Sequence, residues 1–229
     1  MKALWTLCKK ASSVLMPWRV GRRYRQVVDI VRHIRPRTII EVGTWNGERA
    51  LEMAEAALEG GQAVRYYGFD LFELMTADIS KLEFNVKPVP SEREVAQRLD
   101  SLRIRNPNFS FMLYKGFTKA TLPLFLEEVG SRSIDFIWID GGHSVDTIQS
   151  DWEICSKIIR SSGVILLDDF YTGMPDVTLE KIGCNRLVER LRKDSAWRVE
   201  LLPIKDRVKG GGYVQVVRVL SSMSEGCCS

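Results

Sequence analysis

The sequence predicts an α/β fold: a Rossmann-like, doubly wound seven-stranded sheet, mostly parallel, with an antiparallel C-terminal hairpin strand and helices on both faces. Three observations lead there. Short apolar runs rich in Val, Ile and Phe alternate with segments of helical periodicity. Five of the runs close on a glycine or an acid, at Gly43, Asp70, Lys115-Gly116, Asp140 and Asp168-Asp169. The last two runs are joined by a turn rich in Lys, Asp and Gly, as in an antiparallel hairpin.

In chain order, residues 22–34 carry Val27, Val31 and Ile34 at helical spacing, and Pro36 ends the pattern. Thr38 to Val42 is a buried strand. Glu48 to Leu58 is a helix with Leu51, Ala54 and Leu58 on one face, stopped by Gly60-Gly61. Ala63–Phe69, Phe109–Tyr114, Ile134–Ile139 and Gly163–Leu167 are the next four strands, with helices at 118–128, 144–160 and about 178–193. Trp197–Ile204 and Gly212–Leu220 form the hairpin, one strand entering the sheet and one lying at its edge. Residues 71–108 are too long for a simple crossover. They hold Pro88, Pro90 and a helix from Ser91 to about Arg105, opened by a Ser91/Glu94 capping box, and read as an inserted lid.

A chain of 229 residues makes one domain, here 22–220, with a basic amphipathic arm at 1–21 and a disordered tail at 221–229. Hydrophobic content of 45% and charged content of 27% exclude a mostly disordered chain and a collagen-like repeat. The absence of any long apolar run excludes a multi-span membrane protein. The net charge of +4 is a composite. Residues 1–37 hold ten Lys or Arg against Asp29 alone, so that segment is +9 and the remainder −5. Leu4, Trp5, Leu7, Val14 and Leu15 among those cations suit a helix packed on its own domain, an anionic membrane surface or a contact in a homo-oligomer. Lys9 and Lys10 cut the first apolar run short, so no signal peptide is expected and the protein reads as cytoplasmic, with membrane association through the arm. The five cysteines are odd in number and form no Cys-x-x-Cys, which argues against a disulfide framework or a zinc knuckle. The terminal Gly226-Cys227-Cys228-Ser229 is not a prenylation box, because its first residue is Gly.

In a doubly wound sheet, ligands bind at the carboxyl ends of the strands near the switch point, so the strand-end residues form one set. Glu41-Val42-Gly43-Thr44-Trp45-Asn46-Gly47 follows the first strand and opens a helix, and its glycines allow a sharp turn and close backbone approach. It is not G-x-G-x-x-G. Trp45 stands in the way of a pyrophosphate and Glu41 adds negative charge, so the loop suits a cationic or neutral ligand and disfavours a nicotinamide oxidoreductase. Asp70, 27 residues after Gly43, is placed to accept hydrogen bonds from both ribose hydroxyls of a nucleoside.

These residues resemble the class I S-adenosylmethionine-dependent methyltransferases. Glu41 to Gly47 is similar to their first motif, Gly68-Phe69-Asp70 to their second, and the terminal hairpin to their antiparallel seventh strand. Over roughly residues 25–220 the sequence is most similar to a small bacterial O-methyltransferase group that includes antibiotic and sugar O-methyltransferases. That group carries strands of the form Ile134-Asp135-Phe136-Ile137-Trp138-Ile139-Asp140-Gly141-Gly142-His143 and Gly163 to Phe170. The resemblance implies S-adenosyl-L-methionine as cofactor. It implies that Glu41, Gly43, Thr44, Gly47, Asp70 and Gly116 line it, with Trp45, Asn46 and Leu71 alongside.

Asp140 and Asp168 are 28 residues apart, one helix and one strand, so their strand ends are neighbours. Three carboxylates meeting there, Asp140, Asp168 and Asp169, repel unless a cation or protons intervene, and oxygen donors suit Mg²⁺ or Ca²⁺. The layout is similar to that of metal-dependent catechol-type O-methyltransferases, which place a lysine three positions after the first Asp. Here that position is His143. An ion on the acceptor oxygen would lower its pKa, and His143 would take its proton. The plainer alternatives are a loop histidine bonded to backbone, and aspartates that merely touch cofactor or acceptor. His33 reads as a packed or surface residue, while Phe72, Phe84 and Phe170-Tyr171 flank the same edge as pocket walls or as packing. The expected activity is O-methylation of a hydroxyl on a small molecule or glycan. Methylation of RNA or another polyanion is the second reading, weakened by an acidic edge that repels phosphates. A non-catalytic nucleoside-binding module is the third.

Overall fold

A computed structural model of the protein describes residues 22–85, 87–209 and 211–222. The expectations for the arm at 1–21 and for residues 223–229 lie outside the described residues.

Seven strands form one sheet in the order β3-β2-β1-β4-β5-β7-β6. They are β1 (Thr38–Val42), β2 (Val64–Asp70), β3 (Phe109–Lys115), β4 (Ile134–Ile139), β5 (Ile159–Thr172), β6 (Trp197–Arg207) and β7 (Tyr213–Ser221). The first five are parallel, and β7 is antiparallel to both β5 and β6. As expected, one hairpin strand, β7, enters the sheet and the other, β6, forms its edge. The helices are α1 (Arg22–Ile34), α2 (Glu48–Leu58), α3 (Ala77–Leu82), α4 (Glu92–Arg105), α5 (Thr118–Val129), α6 (Val145–Ile158), α7 (Asp176–Leu179) and α8 (Asn185–Leu191).

Strand residues alternate between two cores, as the period of two requires. Ile39, Phe136, Trp138, Val164 and Leu166 meet α1, α2 and α4 through Val27, Met53, Val95 and Leu99. Their neighbours Ile40, Ile137, Ile139, Ile165 and Leu167 meet α5, α6 and α8 through Phe125, Trp152, Cys155 and Val188. Gln26 of α1 reaches the exposed edge. Its amide donates to the Ile204 carbonyl at 2.9 Å and accepts the Ile204 N–H at 2.8 Å, satisfying ladder groups of an edge strand. Ser91 and Glu94 form the expected capping box of α4. Among the described residues, no helix is long and apolar enough to cross a membrane, and Cys155 and Cys184 are buried free thiols.

Several boundaries differ from expectation, among them three with a readable cause. Strand β5 runs 14 residues, because Ile159 pairs with β4 at one end and Thr172 with β7 at the other, and its exposed start carries no apolar signal. The helix expected over about 178–193 is two helices broken at Gly183, whose φ is +85°. Strand β7 keeps Ser221, the first residue assigned to the tail.

Candidate active site

The strand order reverses between β1 and β4, and a cavity of about 350 Å³ opens over their carboxyl ends. Of the expected site residues, Gly43, Trp45, Asp70, Leu71, Gly116, Asp140 and His143 stand in its wall. Gly43 is needed there for a reason behind the wall. At φ +91°, a Cβ would lie 2.1 Å from the Asp140 carbonyl oxygen, because the ends of β1 and β4 abut. Asp70 is held by its own loop, Oδ2 accepting the Trp45 N–H at 2.7 Å and Oδ1 the Phe72 N–H at 2.9 Å. Both oxygens keep lone pairs for a diol.

Glu41, Thr44, Asn46 and Gly47 support the wall without forming it. Glu41 is buried and accepts the Tyr66 hydroxyl, and burial pushes its carboxyl up to about 8. Burial therefore weakens the negative charge that the sequence suggested Glu41 would present to a ligand. Thr44 is buried near Tyr66, Asn46 accepts the Glu48 N–H at 3.0 Å, and Gly47 at φ +74° lets α2 begin.

Leu71, Phe72, Met75, Ile79 and Pro88 to Pro90 line one side of the cavity, where Trp45 holds them, while α4 of the same connection packs on the sheet. The Trp45 indole Nε1 donates to the Pro88 carbonyl at 2.8 Å, and the Lys87 ammonium lies 5.2 Å over the ring. On the opposite side Glu83 accepts from Ser144 N at 3.1 Å, Ser144 Oγ at 3.2 Å and Thr147 Oγ1 at 2.7 Å, at the start of α6. A carboxylate is well placed at a helix N-terminus.

The three aspartates do not converge as one ligand set. Asp168 and Asp169 are consecutive strand residues, so their side chains leave opposite faces. A β-bulge between Leu167 and Phe170, with Asp169 at φ +62°, accentuates the split. Asp169 turns to the cavity side, its Oδ2 3.5 Å from His143 Nε2 and its Oδ1 accepting the Tyr171 hydroxyl at 3.0 Å. Asp168 turns to α1. Arg23 forks onto it, Nε to Oδ1 at 2.8 Å and Nη2 to Oδ2 at 2.7 Å, and Tyr24 donates its hydroxyl to Oδ2 at 2.9 Å. Asp206 of β6 takes the third side of the guanidinium at 3.1 Å and also accepts the Arg22 N–H at 2.9 Å, capping α1 from across the fold.

The charges follow from this geometry. Burial alone would push Asp168 up, but Arg23 pulls it below the usual carboxylate value. Asp140 is pushed well up by burial and then by the charge of Asp168, and Asp169 is raised by the same two causes in the same order. The oxygen-only divalent site expected from Asp140, Asp168 and Asp169 does not fit, because both Asp168 oxygens are engaged. Asp140, His143 and Asp169 remain, with one donor atom each mutually within 4.8 Å. That set mixes an imidazole with two carboxylates.

Several residues of this site were not read from the sequence. Gly183 and Cys184 give consecutive N–H groups to the carbonyls of His143, at 2.9 Å, and Asp169, at 3.0 Å. Arg23 had a signal: it lies four and eight residues before Val27 and Val31, on the buried stripe, where a cation needs an acidic partner.

A family described as a methyltransferase domain matches residues 40–170, which span β1 through most of β5. The chain belongs to that family. It is a class I S-adenosylmethionine-dependent methyltransferase. Its fold is similar to that of the O-methyltransferase TomG from Streptomyces achromogenes, solved with S-adenosylmethionine. That match has 17% identity and a TM-score of 0.59, covering 87% of this chain and 79% of TomG. The Bacillus cereus O-methyltransferase solved with S-adenosylhomocysteine shares 16% identity at a TM-score of 0.59, covering 96% of this chain and 91% of its own. The S-adenosylhomocysteine-bound Podospora anserina methyltransferase PaMTH1 shares 15% identity at a TM-score of 0.55, over 87% and 77%. No curated protein matches the methyltransferase sequence.

Proposed function

We propose that this methyltransferase acts on a hydroxyl oxygen of a small molecule, with His143 as the base and Asp169 as the carboxylate that orients it. The observation that carries this reading is the His143–Asp169 pair, 3.5 Å apart, beside Asp140 at the cavity wall. S-adenosylmethionine would be held through its ribose by Asp70 and would supply an electrophilic methyl group, its sulfur keeping the electron pair of the S–C bond that breaks. His143 with its proton on Nε2 faces Asp169 and keeps the Nδ1 lone pair for the acceptor's O–H proton as the new C–O bond forms. Asp169 then stabilises the imidazolium. Partly buried Asp140 and buried Asp169, both with raised carboxyls, favour entry of a cation, and a sulfonium is one.

Met75, Ile79, Pro88, Val89 and Pro90 give one side of the wall an apolar stretch beside the polar Glu83, Asn85 and Lys87. That favours an acceptor with an apolar body over a glycan, and the aspartates beside it disfavour a polyanion. The proposed set for cofactor is Gly43, Trp45, Asp70, Leu71 and Gly116, supported from behind by Glu41, Thr44, Asn46 and Gly47.

The test is transfer of labelled methyl from S-adenosylmethionine to a panel of phenolic and polyhydroxylated small molecules. His143→Ala should lose roughly 10²–10⁴-fold in turnover while keeping S-adenosylhomocysteine affinity by calorimetry. Unchanged turnover would remove His143 from its role. Label appearing only on amines or nucleic acid would remove the oxygen acceptor.

A further inference from the structure

We propose that Arg23 is the resident cation of the strand-end aspartates, holding at Asp168 the place that the sequence layout assigns to a divalent metal ion. The inference rests on the methyl-transfer site lying at these strand ends, but not on which atom accepts the methyl group. Four features of the structure carry it.

The guanidinium is 13% exposed and forks onto both oxygens of Asp168, a geometry that delocalised, weakly hydrated arginine fills better than a point charge. Its other side is fixed by Asp206, which is bonded in turn to the N-terminus of α1. Tyr24 closes the remaining approach, accepting from Arg23 Nη2 at 2.8 Å while donating to Asp168. The Arg23 charge also reaches Asp140 and Asp169 across the strand ends, so one side chain offsets charge on four acids. A divalent ion using Asp168 would have to expel a covalently tethered, desolvated cation and leave that cation buried beside the ion, which opposes it by like charge. The donors that stay free, Asp140, His143 and Asp169, bring a nitrogen that suits Mg²⁺ poorly.

The test is binding of Mn²⁺, which accepts both oxygen and nitrogen donors, followed by electron paramagnetic resonance in the intact protein. Arg23→Met frees Asp168 and should bind Mn²⁺ roughly 10-fold or more tightly than the wild type does, and Asp168→Asn in that background should abolish the gain. Should Arg23→Met fail to fold, Arg23→Lys serves: its single ammonium cannot bridge both Asp168 oxygens and Asp206, and a smaller gain is expected. Equal Mn²⁺ affinity in wild type and variant, tight or absent, overturns the proposal. So does a wild-type site that weakens in Asp168→Asn. Calorimetric binding of S-adenosylhomocysteine to the same samples separates this outcome from a failure of the site itself. Absence of that binding in wild type would sink the active-site placement, whereas wild-type Mn²⁺ binding that depends on Asp168 sinks only the role of Arg23.

Discussion

Gly183 donates its main-chain N–H to the His143 carbonyl over 2.9 Å, and the next N–H, of Cys184, holds the Asp169 carbonyl. The two halves of the proposed base pair are thus spaced by one short stretch of backbone from the far end of the fold. A Cβ on Gly183 would lie 2.5 Å from the Asp169 oxygen, at a φ of +85°. Gly183→Ala should therefore push β5 and the His143 loop apart. Turnover should fall by about 10²-fold from a shift of about 1 Å, with smaller loss of S-adenosylhomocysteine affinity. Single-turnover rates beside calorimetry would show the split, and proportionate loss of both would refute it.

Arg23 and Asp168 form a buried pair, so each single substitution strands a charge. Arg23→Met or Asp168→Asn should each cost about 3–5 kcal/mol in urea unfolding. The double variant should recover much of the Arg23→Met loss, because it buries no unpaired Asp168. A strictly additive cycle would show that the two side chains are not coupled.

Gly43→Ala is expected to fail as a probe of cofactor contact. Its Cβ would meet the backbone of Asp140 and Gly141 before it met any ligand. Thermal unfolding should drop by about 10 °C, on the order of 3 kcal/mol for a domain of this size. A normally stable Gly43→Ala that had lost only cofactor binding would contradict the packing described.

Asp151 supplies the pH dependence. It is buried in α6 without a well-formed hydrogen bond, the Thr118 hydroxyl giving partial relief, and burial pushes its carboxyl up to about 7. The folded state then holds its proton more tightly than the unfolded chain, where the value is about 4. Its contribution is intact below about pH 4 and is lost as pH rises through about 7. Asp151→Asn should therefore raise the melting temperature by roughly 5 °C at pH 8, with the gain shrinking toward pH 5. A gain independent of pH would show that charge at Asp151 is not the cause.

The parallel strands were legible because each is an apolar run closing on a glycine or an acid, and four strand ends, after Val42, Phe69, Tyr114 and Ile139, supply the cavity wall. The aspartates after β5 were legible as charge but not as direction. The expectation that Asp140, Asp168 and Asp169 meet overlooked side-chain alternation, and only the position of α1 shows where Asp168 goes. The break at Gly183 was hidden because its cause, the backbone of Asp169, lies 14 residues upstream in a different element. Between β2 and β3, α4 announced itself by its capping box. α3 buries no residue, and the bonds of the following Glu83 to Ser144 and Thr147 tie down its end.

The bridge from α1 to β6 sets a timetable for making the enzyme. Arg23 is synthesised 145 residues before Asp168 and 183 before Asp206. At ordinary ribosomal speed the second interval is roughly 10–40 s. Until the final hairpin emerges, Arg23 and the N-terminus of α1 lack Asp206, and β5 has no partner on its outer side. A nascent or proteolytically clipped chain that stops before β6 would carry every residue of the cavity wall and still lack the edge that steadies it. Strands β6 and β7 thus brace, through Asp206 and α1, a site whose wall residues all precede them in the chain.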